Sequence, residues 1–168
     1  FIVYALGSTG KVTVRNYAVE PGGRLEDSWP IAGFHDRKYH LRAYGPNGFF
    51  REFIGNETDP SLDLELEYAK SPDGKSLSGS IEIVAVNRDS TQRVTVEVHD
   101  NAYGNAVASQ VVAPGKRATI VVDTEKSAGW YDVTLRVVGS SIFEKRYAGH
   151  LETGKWTTSD PAMGRVTT

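Results

Sequence analysis

Cysteine is absent from all 168 residues, which excludes disulfide bonds and thiolate metal sites. An excess of one charge is absent too: 19 basic residues stand against 21 acidic ones, for a net charge of −2. The two signs stay near balance along the chain, so the basic surplus that nucleic acid or an anionic membrane draws on is missing. No apolar run approaches the ~20 residues that a transmembrane helix needs. No basic segment with an apolar stretch opens the chain, so any export signal is expected upstream. The chain starts on Phe1 and is read as a piece of a longer polypeptide. Helical periodicity is lacking as well, since no window of about ten residues carries an apolar stripe.

What the chain does have is alternation. Leu62, Leu64 and Leu66 alternate with Asp63, Glu65 and Glu67. Ile81, Ile83 and Ala85 alternate with Glu82, Val84 and Val86, and Val94, Val96 and Val98 with Thr95 and Glu97. Tyr131, Val133, Leu135 and Val137 alternate with Asp132, Thr134 and Arg136. A period of two puts every second side chain on one face, which marks strands lying on a core. Turn signals such as Ser71-Pro72-Asp73-Gly74, Asn87-Arg88-Asp89-Ser90 and Ala113-Pro114-Gly115 separate them. The fold class expected is all-β, an immunoglobulin-like or fibronectin-like sandwich.

The chain also repeats itself. Val19-Glu20-Pro21-Gly22-Gly23-Arg24 matches Val112-Ala113-Pro114-Gly115-Lys116-Arg117. Tyr39-His40-Leu41-Arg42 matches Tyr131-Asp132-Val133-Thr134. Phe49-Phe50-Arg51-Glu52-Phe53-Ile54-Gly55 matches Phe143-Glu144-Lys145-Arg146-Tyr147-Ala148-Gly149. The offset drifts only between 92 and 94, as one copied supersecondary unit with small turn differences requires. The second copy, 61–154, predicts seven strands near 62–69, 78–87, 92–99, 106–112, 117–123, 130–138 and 142–149. The first, 1–58, predicts five, near 1–5, 11–19, 24–31, 38–44 and 49–55, because the counterparts of its two opening strands are missing. That loss predicts an uncovered edge and inner face. Residues 155–168 read as a polar, turn-rich tail, lying on the surface or partly disordered.

Several strings carry a family resemblance. They are Leu41-Arg42-Ala43-Tyr44-Gly45-Pro46-Asn47-Gly48-Phe49-Phe50-Arg51-Glu52-Phe53, Val98-His99-Asp100-Asn101-Ala102-Tyr103, Gly129-Trp130-Tyr131-Asp132, and Arg146-Tyr147-Ala148-Gly149-His150-Leu151-Glu152-Thr153-Gly154. With the terminal Ser159-Asp160-Pro161-Ala162-Met163-Gly164 they cover almost the whole chain. It resembles the C-terminal domain of bacterial phosphocholine-preferring phospholipases C, which usually occurs as a tandem pair. The resemblance implies a secreted hydrolase, exported folded by the twin-arginine route, with its catalytic residues upstream of Phe1. It implies an upstream catalytic domain and a phospholipid surface as partners; the charge balance argues against nucleic acid, and no cofactor or metal is expected from the residues.

The residues themselves offer little chemistry. His35, His40, His99 and His150 have no metal-ligand spacing. His40 is expected on an outer face, and His99-Asp100-Asn101 at a strand end, where Asx side chains serve turn backbone. Glu57, Asp59, Asp63, Glu65 and Glu67 are the densest acids, and a calcium site is weighed there against a plain solvent face. No nucleophile elbow or phosphate loop is present. Trp29 and Trp130 read as packing aromatics. One contact candidate stands out. Phe50 aligns with Glu144 and so faces outward, beside the turn residues Asn47 and Gly48, as a lipid or domain contact. The expected role is a non-catalytic accessory module; the alternative is a carbohydrate- or protein-binding sandwich of an extracellular protein.

Overall fold

A computed structural model describes residues 1–8, 11–105, 107–154 and 156–163. Eleven strands carry it: β1 (Ile2–Ser8), β2 (Lys11–Asn16), β3 (Lys38–Tyr44), β4 (Phe50–Asn56), β5 (Leu62–Lys70), β6 (Leu77–Asn87), β7 (Val94–Asp100), β8 (Ala108–Val112), β9 (Arg117–Asp123), β10 (Trp130–Val137) and β11 (Glu144–His150). All pairings are antiparallel. One sheet has eight strands in the order β2-β1-β3-β4-β11-β10-β7-β8, and the other has three, β5-β6-β9. The protein is an all-β sandwich, and its only helical pieces among the described residues are three short 3-10 turns.

The main core cluster lies between the three-stranded sheet and the β11-β10-β7-β8 part of the large one, with Phe53 of β4 packed against it. Ile81 and Ile83 from β6 meet Val96, Val133 and Leu135, all at most 1% exposed. The alternation explains this directly, because in β5 Leu62 and Leu64 turn in while Glu65 and Glu67 stay out. Polar bonds tie the layers as well: the Tyr147 hydroxyl donates to the Leu64 carbonyl at 2.8 Å, and Asn87 Nδ2 to the Val112 carbonyl at 3.1 Å. Every buried side-chain polar atom among the described residues has a partner, as a low-dielectric interior demands.

The eight-stranded sheet is nearly two-fold symmetric in sequence. Its halves run β2-β1-β3-β4 and β8-β7-β10-β11, meeting where β4 pairs with β11. In that central pair Glu52 sits directly opposite Arg146, and these are equivalent positions of the repeat. The symmetry extends inward. The Arg51 guanidinium stacks over Phe49 at 4.3 Å and over Tyr147 at 5.0 Å. Its counterpart Lys145 lies over Phe143 at 5.6 Å and over Phe53 at 6.0 Å. Each cation thus bridges its own strand's aromatic and the opposite strand's.

The first repeat builds four strands where the sequence predicts five. Residues 24–31 form no strand; the chain there is irregular and ends in a 3-10 turn at Ile31–Gly33. The physical reason is visible in the second repeat. The equivalent strand, β9, is hydrogen-bonded into its sheet by β6 alone, and among the described residues no strand stands beside 24–31 in the way β6 stands beside β9. Alternation marks a face, but a ladder needs a neighbour. The segment instead folds back over the sheet. Its Asp27 carboxylate accepts from Arg15 Nη1 at 2.6 Å and from the Tyr17 hydroxyl, and Arg15 stacks on Trp29 at 3.8 Å.

Candidate interaction site

The hairpin joining β3 to β4 turns on Asn47-Gly48, whose φ angles are 53° and 71°. Phe49 N–H donates to the Pro46 carbonyl at 3.0 Å, closing a two-residue turn of the kind Asn-Gly favours. The tip leans on the second repeat. Asn47 Nδ2 donates to Glu152 Oε1 at 3.2 Å, and Gly48 lies so close to the Trp130 ring that an added Cβ would stand 3.0 Å from it. Behind it, His150 packs on Trp130 with ring centroids 4.7 Å apart. His150 Nδ1 lies 3.1 Å from Glu152 Oε1, and Nε2 lies 3.0 Å from Thr157 Oγ1. Trp130 Nε1 donates to the Thr158 carbonyl at 3.0 Å, which holds part of the tail against this end. Residues 155 and 164–168 of the expected tail, and 106 at the start of an expected strand, lie outside the described residues.

Phe50 is the first residue of β4, on the outer face of the large sheet, and is half-buried. It pairs with Tyr44 on one side and Ala148 on the other. The Tyr44 ring stands 5.0 Å away and the Arg146 guanidinium 5.5 Å above it. The structure therefore separates the three candidates: Asn47 and Gly48 meet the second repeat, while Phe50 lies back on the sheet among aromatics.

Charge on this outer face is arranged as a swapped pair. In the first repeat, Arg42 Nε donates to Glu52 Oε1 at 2.6 Å, and His40 Nε2 lies 2.6 Å from the same oxygen. In the second, Arg146 grips Asp132, the counterpart of His40, through bonds of 2.7 and 2.5 Å. Burial raises the Glu52 carboxyl, but the hydrogen bonds from Arg42 and His40 outweigh it and hold it below the ordinary carboxylate value. Sequence reading missed Glu52 and Arg146; their opposite charges at equivalent positions of the aligned repeat were the only signal, and that the two strands pair is seen in the structure alone.

Most of the remaining polar candidates have structural partners, while Glu65 lies exposed on β5. Asp100 takes the backbone N–H groups of Ala102 and Tyr103, each at 2.9 Å. Among the acids, Glu57 pairs with Arg37 at 2.5 Å, Asp63 with Arg88 at 2.7 Å and Glu67 with Arg117 at 3.6 Å. Asp59 accepts from the Tyr39 hydroxyl and from Asn56 N–H. Among the described residues no group of His, Asp and Glu is placed to hold a metal ion.

The inner face of the first repeat is different. Phe1, Val3, Leu41, Ala43, Phe49 and Phe53 line a groove of about 350 Å³, bounded across from them by Leu25 and Trp29. Among the described residues no strand of a second sheet covers it. Fold and site together define a duplicated β-sandwich module with a partly roofed first repeat. The family of the bacterial phospholipase C C-terminal domain matches residues 1–56 and 60–150, and the chain belongs to that family. It is 34% identical over 157 residues to a non-hemolytic phospholipase C of Pseudomonas aeruginosa, covering 89% of this chain and 22% of the relative. A non-hemolytic phospholipase C of Burkholderia pseudomallei is 37% identical over 149 residues, 88% of this chain and 21% of the relative. A hemolytic phospholipase C of Pseudomonas aeruginosa is 27% identical over 168 residues, covering 94% of this chain and 22% of that protein. The chain spans about a fifth of the length of these relatives.

Proposed function

We propose that the chain is the non-catalytic C-terminal accessory region of a secreted bacterial phospholipase C. It comprises a partial sandwich repeat at 1–58, a complete one at 61–154 and a tail at 155–168, and it supports an upstream phosphodiesterase domain. The observation that carries this reading is the groove over Phe1, Leu41 and Phe53. In the second repeat the equivalent face is closed by β5 and β6. Polypeptide preceding β1 supplies that cover in the parent, so the module and what lies before it share one core and stabilise each other. For Phe50 the geometry favours a domain contact over a lipid contact. Its ring is half-buried between Tyr44 and Arg146, past the turn, whereas bilayer insertion buries apolar groups several ångströms deep.

The test is hydrolysis of a soluble phosphocholine ester by the purified parent and by the 168-residue chain. The parent is expected to turn over and the chain to show no rate above buffer. Hydrolysis by the chain itself would sink the proposal. Vesicle co-sedimentation of the chain against a Phe50→Ser variant adds the lipid question, with no binding expected from either.

A further inference from the structure

The repeat contains its own control for the outer face of the large sheet. Tyr44 on β3 pairs with Ile2 on one side and Phe50 on the other. Its counterpart Arg136 on β10 pairs with Glu97 and Glu144. Following the same registers, Tyr4 stands where the second repeat has His99, and Leu6 where it has Asn101. Five neighbouring positions are thus apolar or aromatic in one repeat and charged or polar in the other. The backbone geometry is the same, so the sheet does not require the apolar choice. In the second repeat these positions satisfy each other in water: Arg136 Nε bonds Glu144 at 2.9 Å, and His99 Nε2 lies 3.2 Å from Glu97. In the first, Ile2 and Tyr44 remain 40% and 41% exposed, and Tyr4 stacks edge-on against Tyr44 at 5.7 Å. The shallow depression between them holds about 300 Å³. The groove over Phe1 lies on the opposite face, so covering it leaves this patch open.

We infer that the patch of Ile2, Tyr4, Leu6, Tyr44 and Phe50 is the docking surface for the catalytic portion of the same polypeptide. The inference rests on the accessory reading above. Three observations select this occupant. Nearly four-fifths of each relative's length lies outside the matched part, which is a C-terminal domain, so a large tethered body is at hand. The patch includes Ile2 at the start of β1, where the tether enters, and tethering raises the effective concentration of such a partner. The rings of Tyr4, Tyr44 and Phe50 stand side by side on three adjacent strands, the neighbouring charges of Arg42 and Arg146 are already paired with Glu52 and Asp132, and aromatics with Arg beside them are what interface centres favour. A contiguous apolar surface, exposed at Ile2 and Tyr44 and half-exposed at Tyr4, Leu6 and Phe50, marks an interaction site rather than scattered exposure.

The experiment is hydroxyl-radical footprinting of the full-length parent and of the 168-residue chain, without lipid, normalised to Val111 and Val121 at the far edge of the second repeat. Tyr44 and Phe50 are expected to oxidise about tenfold more slowly in the parent than in the chain. A parent carrying the second repeat's residues, Ile2→Glu, Tyr44→Arg and Phe50→Glu, keeps a fold-compatible sheet face. It is expected to lose the residual protection of Tyr4 and to melt in two separated transitions. Equal oxidation in parent and chain would overturn the proposal. So would protection that appears only after phosphatidylcholine vesicles are added, which would assign the patch to lipid. Protection of the chain that rises with its own concentration would assign it to a second copy and overturn it equally. Hydrolysis of a phosphocholine ester is measured on the same parent preparation. An inactive parent with a protected patch would remove the functional reading and leave the docking surface standing.

Discussion

The two repeats share strand registers, a Tyr-over-Gly contact and a cation held between aromatics, yet only the second has a closed core. Tyr39 faces Gly55 and Tyr131 faces Gly149 in matching registers. Arg51 and Lys145 occupy matching places between rings. The difference lies in the second layer. Where β5 and β6 are present, Ile81, Ile83 and Leu135 are sealed from water. Without their counterparts, Leu41, Phe49 and Phe53 stay partly open, and the segment matching β9 does not become a strand. A copied sequence reproduces a sheet face, therefore, but not the layer that buries it. Burial, more than strand propensity, decides how much each side chain contributes.

The sharpest break of that comparison is a matched pair of core truncations. Ile83→Ala removes a fully buried side chain, leaves a cavity and should cost about 3 kcal/mol. Leu41→Ala, at a half-buried inward position of the first repeat, should cost about 1 kcal/mol, because its site is open to water already. Denaturant unfolding of the chain measures both. Equal losses would mean that the first repeat is as well packed as the second. In the parent, with the groove covered, the Leu41→Ala cost should rise toward that of Ile83→Ala.

How far the sequence foretold this follows from the range of each interaction. The strands β5 to β11 were legible because alternation and turn residues are local. The second repeat's face assignments followed from the same alternation, as in Leu62 and Leu64 against Glu65 and Glu67. Residues 24–31 alternate as well, with Leu25, Asp27, Trp29 and Ile31 in step, but their pairing depends on a strand elsewhere, which no local pattern reports. At the candidate site, Asn47-Gly48 announced a turn, and alignment with Glu144 put Phe50 on the outer face. That Asn47 would reach Glu152, 105 residues away, was not legible. Glu52 and Arg146 were overlooked for the related reason that β4 pairing with β11 joins two separate copies, a tertiary choice.

The charge-swapped pairs sharpen the comparison on the outer face. The Glu52 side chain is 7% exposed, whereas Arg146 is 38% exposed. Glu52→Gln should therefore cost about 1–2 kcal/mol at neutral pH, leaving Arg42 and His40 without their shared carboxylate. Arg146→Gln should cost less, since Asp132 keeps its bond from Asn101 at 2.8 Å. The pH dependence has a definite sign. Glu52 has a folded value below the unfolded one near 4.3, so its contribution is complete above that pH and fades as pH falls through the folded value. The difference between wild type and Glu52→Gln, read from melts at pH 5 and pH 3, should shrink at the second. A difference that persists unchanged at pH 3 would refute the ionic account.

The smallest effect tests what holds the irregular segment of the first repeat. Lacking a strand partner, residues 17–30 are fixed by side chains: Asp27 accepts from Arg15 and Tyr17, and Arg15 lies on Trp29. The Tyr17 hydroxyl, then the Arg15 guanidinium and the Ser28 N–H, draw the Asp27 carboxyl down to about 2. A carboxyl depressed from an unfolded value near 3.9 adds stability above that pH and loses it progressively as pH falls toward 2. The group is exposed, so the gain is screened and small. Its titration is still a clear reporter. Carboxyl chemical shifts followed by NMR should give Asp27 a midpoint near 2 in the wild type and near the ordinary aspartate value in Arg15→Gln with Tyr17→Phe. An ordinary midpoint in the wild type would show that this segment is not held on the sheet by these contacts. The first repeat would then differ from the second in its cover as well as in its missing strands.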